Sequence, residues 1–142
     1  MPQVYFFELI KPGTKAAAIA EYAERLHHKG HRVLIRVSNE VRAEQLNRYL
    51  WGFRAESFLP HSLLPCDPSD LAVLISHEER REYTSLADSL IASALCSMEF
   101  MQAFGQVLDF VESYDSKKKE ESRRRFRDWQ DLGVNPRFIK AA

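Results

Sequence analysis

The first fifty residues alternate strand-like apolar runs with amphipathic helical ones, and no other feature restricts the fold as much. VYFFEL, Val4–Leu9, is a short β-branched and aromatic run closed by the turn signal KPGT. Thr14 is placed to cap the KAAAIAEYAERLHHK that follows, where Ile19, Ala23 and Leu26 share one helical face. Gly30 is the expected helix stop. RVLIRV, Arg32–Val37, reads as a second strand, and Ser38 and Asn39 offer a second N-cap. EVRAEQLNRYLW then places Leu46, Tyr49 and Leu50 on one face. A β-α-β-α sequence with connections this short predicts right-handed parallel crossovers.

The stretch GFRAESFLPHSLLPCDPSD, residues 52–70, holds three prolines and no sustained period, which predicts a long loop of the kind that often carries function. Leu71–Ser76 reads as a third strand and HEERREYT as a charged connection. Ser89–Leu95 is a fourth strand, EFMQAF a short helix, and Gln106–Glu112 a fifth strand. A last helix runs from near Ser116 to a stop at Gly133, and VNPRFIKAA reads as irregular. The pattern predicts one three-layer α/β domain over residues 1–142 with a mainly parallel sheet, residues 135–142 forming an irregular tail.

The familiar chemistries find little support. The first β-α turn, ELIKPGTK, has one glycine, where a dinucleotide site wants G-x-G-x-x-G and a P-loop G-x-x-x-x-G-K-[ST], so no nucleotide-binding motif is read. His27 and His31 stand at a metal-ligand spacing, but Gly30 between them ends the helix, and no carboxylate or cysteine neighbours complete a tetrahedral set. Cys66 lies near Asp67 and His61 without any nucleophile signature around it. The chain is therefore expected to be a non-catalytic binding module without cofactor or metal. Two cysteines, no apolar run near the ~20 residues of a membrane span and an N-terminus without signal-peptide character predict a cytoplasmic protein.

The formal net charge is zero, yet Lys117–Arg127 alone holds seven basic and two acidic residues. At ~100° per residue, Arg123, Phe126 and Arg127 share a face of the last helix whose centre lies well over a right angle from that of Trp129 and Leu132, which are the expected core anchors. Phe126 is then either turned inward under a solvated charged face or held outward between two guanidinium groups. The outward arrangement suits two ligands. One is single-stranded nucleic acid, through phosphate contact and base stacking. The other is a peptide with an acidic, hydrophobic C-terminus, whose carboxylate arginine can clamp.

HRVLIRVSNEVRAEQLNRYLW, AESFLPH, VLDFV and RRRFRDWQDLG, in that order, resemble the chi subunits of bacterial DNA polymerase III, and the resemblance spans the first strand to Gly133. It implies a Rossmann-like fold without a nucleotide site and a non-catalytic accessory role in the clamp-loader complex. It further implies two binding surfaces. One takes the acidic C-terminal tail of single-stranded-DNA-binding protein (SSB), so that DNA is contacted indirectly. The matching positions are Val111, Arg123, Phe126, Arg127 and, by the same resemblance, Trp51. The second takes the psi subunit or an equivalent clamp-loader protein, with Phe58, Pro60 and His61 as the matching positions. Lys117–Lys119 receive no role from it.

Overall fold

A computed structural model describes residues 1–53, 59–66 and 73–141 of the chain. Phe58 and the first two residues of the predicted third strand lie outside the described residues. In chain order the elements are β1 (Gln3–Leu9), α1 (Lys15–His28), β2 (Val33–Arg36), α2 (Glu40–Gly52), β3 (His61–Leu63) and β4 (Val73–Ser76). A 3-10 turn (Arg81–Ser85), β5 (Ser89–Ala92), α3 (Met98–Met101), β6 (Gln106–Glu112), α4 (Ser116–Asp131) and β7 (Arg137–Ile139) follow. The strands form one sheet in the order β3-β4-β2-β5-β6-β1-β7, and every pairing is parallel.

A parallel sheet covered on both faces needs strands that are apolar throughout. VLIR, VLIS and SLIA meet that need, which is why they stand out in the sequence as continuous runs. Alternate residues serve the two layers. Val33, Ile35, Ile75, Leu108 and Phe110 pack with Ile19 and Ala23 of α1 and Leu46 and Leu50 of α2. Val4, Phe6, Leu34, Leu90, Val107 and Val111 pack with Phe100, Phe104 and Trp129 on the opposite face.

Several sequence expectations change. The 52–70 segment contains a strand, β3, because Leu64 N–H and Val73 N–H bond across to the Ile75 and Pro60 carbonyls and draw His61–Leu63 onto β4. The tail is not irregular. Tyr5, Phe6 and Phe7 of β1 pair with Arg137, Phe138 and Ile139, so β7 closes one edge of the sheet. Thr14 does not cap α1 through its side chain; its hydroxyl donates to the Lys11 carbonyl. The strand predicted over Ser89–Leu95 is β5 and ends at Ala92, short of Leu95.

Asn39 caps α2 as expected, its side chain accepting from Arg42 N–H. Asp115 caps α4, accepting from the Lys117 and Lys118 N–H groups. At the other end of α4, Gly133 takes φ +85°, Gly133 N–H donates to Gln130 O and Val134 N–H to Trp129 O. That is a Schellman closure. It buries Val134 against the cluster that holds Trp129 and leaves Leu132 at the C-cap, 40% exposed. Leu132 is therefore not the core anchor that helical phasing predicts. Phasing extrapolates a helix past the point where this one turns.

Candidate functional site

Three side chains in the second half of helix α4 hold it on the sheet. Trp129 is fully buried. The Arg125 guanidinium donates to Asp109 through Nε at 2.7 Å and Nη2 at 3.1 Å, and its Nη2 also donates to the Phe110 carbonyl at 3.2 Å. Asp109 is buried, which pushes its carboxyl up, while Arg125 and the Phe110 N–H pull it back down. The third is Phe126, which is half-buried with its ring centroid 5.2 Å from that of Phe6. Phe126 thus leans on the core rather than standing outward between two arginines. Its remaining face lines a groove.

That groove, about 370 Å³, runs between α4 and the last three strands of the sheet order. Val111 and Glu8, partners across β6 and β1, form its floor. Lys119, Ser122, Arg123 and Phe126 form the helical wall, and Phe138 of β7, 48% exposed, forms the other. Three of the five residues matched to tail binding, Val111, Arg123 and Phe126, therefore meet in one cavity. Arg127 lies outside its lining, one turn along the exposed side of α4. Arg123 and Arg127 approach the same exposed carboxylate, Glu120, at 3.7 and 3.8 Å. Exposed pairs of that kind contribute at most about 1 kcal/mol and yield readily to a better anion.

Trp51 does not join them. It is 60% exposed at the end of α2, its ring centroid 4.6 Å from that of His61. The His61 ring is held at the Leu59 carbonyl (2.9 Å) and the Asn47 carbonyl (3.2 Å), so it ties β3 to α2. Pro60 is half-buried beside it, and its carbonyl accepts from Val73 N–H. β3 and β7 are the two edges of the sheet, six strand spacings or roughly 29 Å apart at ~4.8 Å per strand. Trp51, Pro60 and His61 form one surface, and the groove is another.

Two of the three lysines left without a role, Lys118 and Lys119, acquire different ones. Lys118 Nζ lies 3.1 Å from one Glu112 oxygen and Lys15 Nζ 2.8 Å from the other. Burial alone would push Glu112 up; the two ammonium groups more than offset it and hold the carboxyl below its usual range. Lys15 also donates to the Ser93 carbonyl at 2.7 Å, so this chain of contacts ties the start of α1 and the first turn of α4 to the chain that leaves the carboxyl ends of β5 and β6. Lys119 faces the groove, and Lys117 is exposed.

Phe138, Glu8, Ser113 and Lys119 are groove residues that sequence reasoning missed. The signal for Phe138 was the RFI triplet between Pro136 and Lys140, too short to read as a strand without its partner. Glu8 and Ser113 gave no signal, since only β1–β6 pairing brings them together, with Ser113 Oγ donating to Glu8 at 2.9 Å.

Comparison with known proteins agrees along the length of the chain. The family described as DNA polymerase III chi subunit, HolC, matches residues 1–137. The DNA polymerase III subunit chi of Escherichia coli (strain K12) is 32% identical over 117 residues, covering 82% of this chain and 79% of the relative. The protein of the same name from Pseudomonas aeruginosa is 26% identical over 129 residues, covering 91% and 88%.

Proposed function

The chain belongs to the family of DNA polymerase III chi subunits, accessory rather than catalytic subunits in DNA replication, and we propose that it is an adaptor that captures SSB by its acidic C-terminal tail. The observation that carries this reading is the groove itself: two cations, Lys119 and Arg123, beside an aromatic wall of Phe126 and Phe138 over an apolar Val111 floor. A terminal carboxylate seated at Arg123 gains a charge-assisted hydrogen bond, and a terminal aromatic side chain fills the space between Phe126 and Phe138. Arg127, nearby on α4, attracts the acidic residues upstream. A contact of this size is expected to be on the order of micromolar and to weaken with salt. Several tails presented together on SSB-coated DNA would raise the apparent affinity without new contacts.

Direct binding of single-stranded DNA by the basic helix is less well supported by the geometry. Arg125 is committed to Asp109 and Lys118 to Glu112, so the helix offers fewer available cations than its sequence suggests. The second surface, Pro60 and His61 with Trp51 beside them, fits the role of linking the adaptor to the polymerase through psi or an equivalent clamp-loader protein. Phe58 belongs to the same proposal by resemblance.

Titration with SSB-tail peptides, with and without the terminal phenylalanine, and with oligonucleotide tests the reading. Loss of the phenylalanine should abolish measurable binding. Tight oligonucleotide binding with indifference to that residue would sink the adaptor role. Arg123→Ala should weaken the peptide roughly tenfold with an unchanged thermal melt. Trp51→Ala should leave peptide affinity within about twofold, because it acts at the other edge; a large loss would return Trp51 to the tail site.

A further inference from the structure

Glu8 is an acid on the floor of a groove otherwise suited to an anion. It lies on the α4 side of β1, half-buried, next to Val111. Its Oε2 accepts from Ser113 Oγ at 2.9 Å and its Oε1 from Ala141 N–H at 3.3 Å. Those two bonds fix the carboxylate in place, and among the described residues no salt bridge neutralises it. Lys119 and Arg123 stand on the opposite, helical wall.

We propose that Glu8 is a specificity residue that admits a peptide tail to this groove and excludes single-stranded nucleic acid; the first half rests on the tail-binding reading above. Without Glu8, the groove has what a nucleotide-binding cleft needs: an aromatic face on which a base stacks and two cations for phosphate. A polynucleotide, however, carries a negative charge on both sides of every base. Seating one phosphate at Arg123 brings the next toward Glu8. The end of a peptide tail brings one carboxylate into the groove, the terminal one, on a main chain of neutral amides; the acidic side chains lie upstream, toward Arg127 and outside the groove lining. An ionised carboxylate is an acceptor without a proton to give, and a phosphodiester is the same, so the two can only repel. A main-chain N–H can donate to Glu8 through the lone pairs that Ser113 and Ala141 leave unused. The bound tail is thereby also given a direction, its carboxylate at α4 and its amides over β1.

The test compares the full-length wild type with Glu8→Gln, which keeps the shape and removes the charge. Glu44→Gln, on the exposed face of α2, controls for net charge. Each is titrated with a short oligothymidylate and with the SSB-tail peptide at low and moderate salt. Glu8→Gln should bind the oligothymidylate about tenfold more tightly at low salt, a gain that shrinks as salt rises. Its peptide affinity should move less than about threefold, and Glu44→Gln should match wild type. No gain on oligothymidylate, or an equal gain in Glu44→Gln, overturns the proposal, as does a wild type that already binds oligothymidylate as well as peptide. If the wild type ignores the peptide while Glu8→Gln still gains oligothymidylate binding, the tail reading fails and the exclusion of nucleic acid by Glu8 stands. Glu8→Ala serves as the second variant should the glutamine form melt at the assay temperature.

Discussion

Arg125→Met is expected to destabilise the protein by about 3 kcal/mol at neutral pH, a fall of roughly 10 °C in the melting midpoint. The cost comes from the partner left behind. Asp109 is only 4% exposed, and two of its contacts come from the Arg125 guanidinium. With the guanidinium gone, an ionised carboxylate would remain in the core with one backbone N–H, that of Phe110, to satisfy it. Removing the acid should be cheaper. Arg125 keeps about a quarter of its side-chain surface in water and can turn its charge outward, so Asp109→Asn is expected to cost less than half as much. Replacing both, Asp109→Leu with Arg125→Met, should return stability to within about 1 kcal/mol of wild type, because an apolar pair of similar volume has no charge to desolvate.

The sign of the pH dependence follows from the same burial. Burial raises the Asp109 carboxyl above its unfolded value, and in Arg125→Met no guanidinium opposes that rise. A raised folded value means the folded state holds the proton to higher pH. The penalty is therefore absent below the unfolded carboxyl range near pH 4 and grows as pH rises toward neutrality. Urea melts of Arg125→Met and wild type at pH 4 and pH 7.5 should show a smaller difference at the lower pH. An equal difference at both would mean that lost packing, and not a buried charge left unpaired, is the cost.

Trp129→Ala should be more damaging, about 3–5 kcal/mol, enough to leave the domain partly unfolded at 37 °C. Trp129 is the largest fully buried side chain and the apolar anchor of α4. Its loss opens a cavity between the helix and the sheet and releases the helix that carries Lys119, Arg123 and Phe126. Tail-peptide binding should fall with it, in contrast to Arg123→Ala, where binding falls and stability holds. Trp129→Phe, which keeps a ring in the slot, should cost a fraction of the alanine change. A Trp129→Ala protein with wild-type stability and undiminished peptide affinity would show that α4 is held by its other contacts, the Arg125–Asp109 pair and Phe126 among them, without Trp129.

How much of this was legible beforehand depended on where the information sits along the chain. β1, β2, β5 and β6 were readable because strands covered on both faces must be apolar along their whole length. The helix stops at Gly30 and Gly133 were readable because a left-handed residue after a helix is a local requirement that glycine meets at no steric cost. β3 and β7 were not. Each has three residues at an edge of the sheet, too few to show a period, and each exists through pairing with a strand far away or out of pattern in the sequence. Arg125 was hidden among four arginines that look alike until Asp109 is placed beneath one of them.

The sequence by itself therefore determined an α/β fold with a parallel sheet and the basic last helix, and its family resemblance pointed to Val111, Arg123 and Phe126, since periodicity, turn residues and family motifs all lie within short windows. Only the tertiary structure decided which charges on that helix are available and which are spent, that Phe126 rests half in the core against Phe6, and that Phe138 and Glu8 complete the groove. It also decided that Trp51 stands beside His61 at the far edge. The reason is that strand order sets these neighbours. β7 lies next to β1 across more than 120 residues of chain, and no local pattern encodes a contact whose two halves are that far apart.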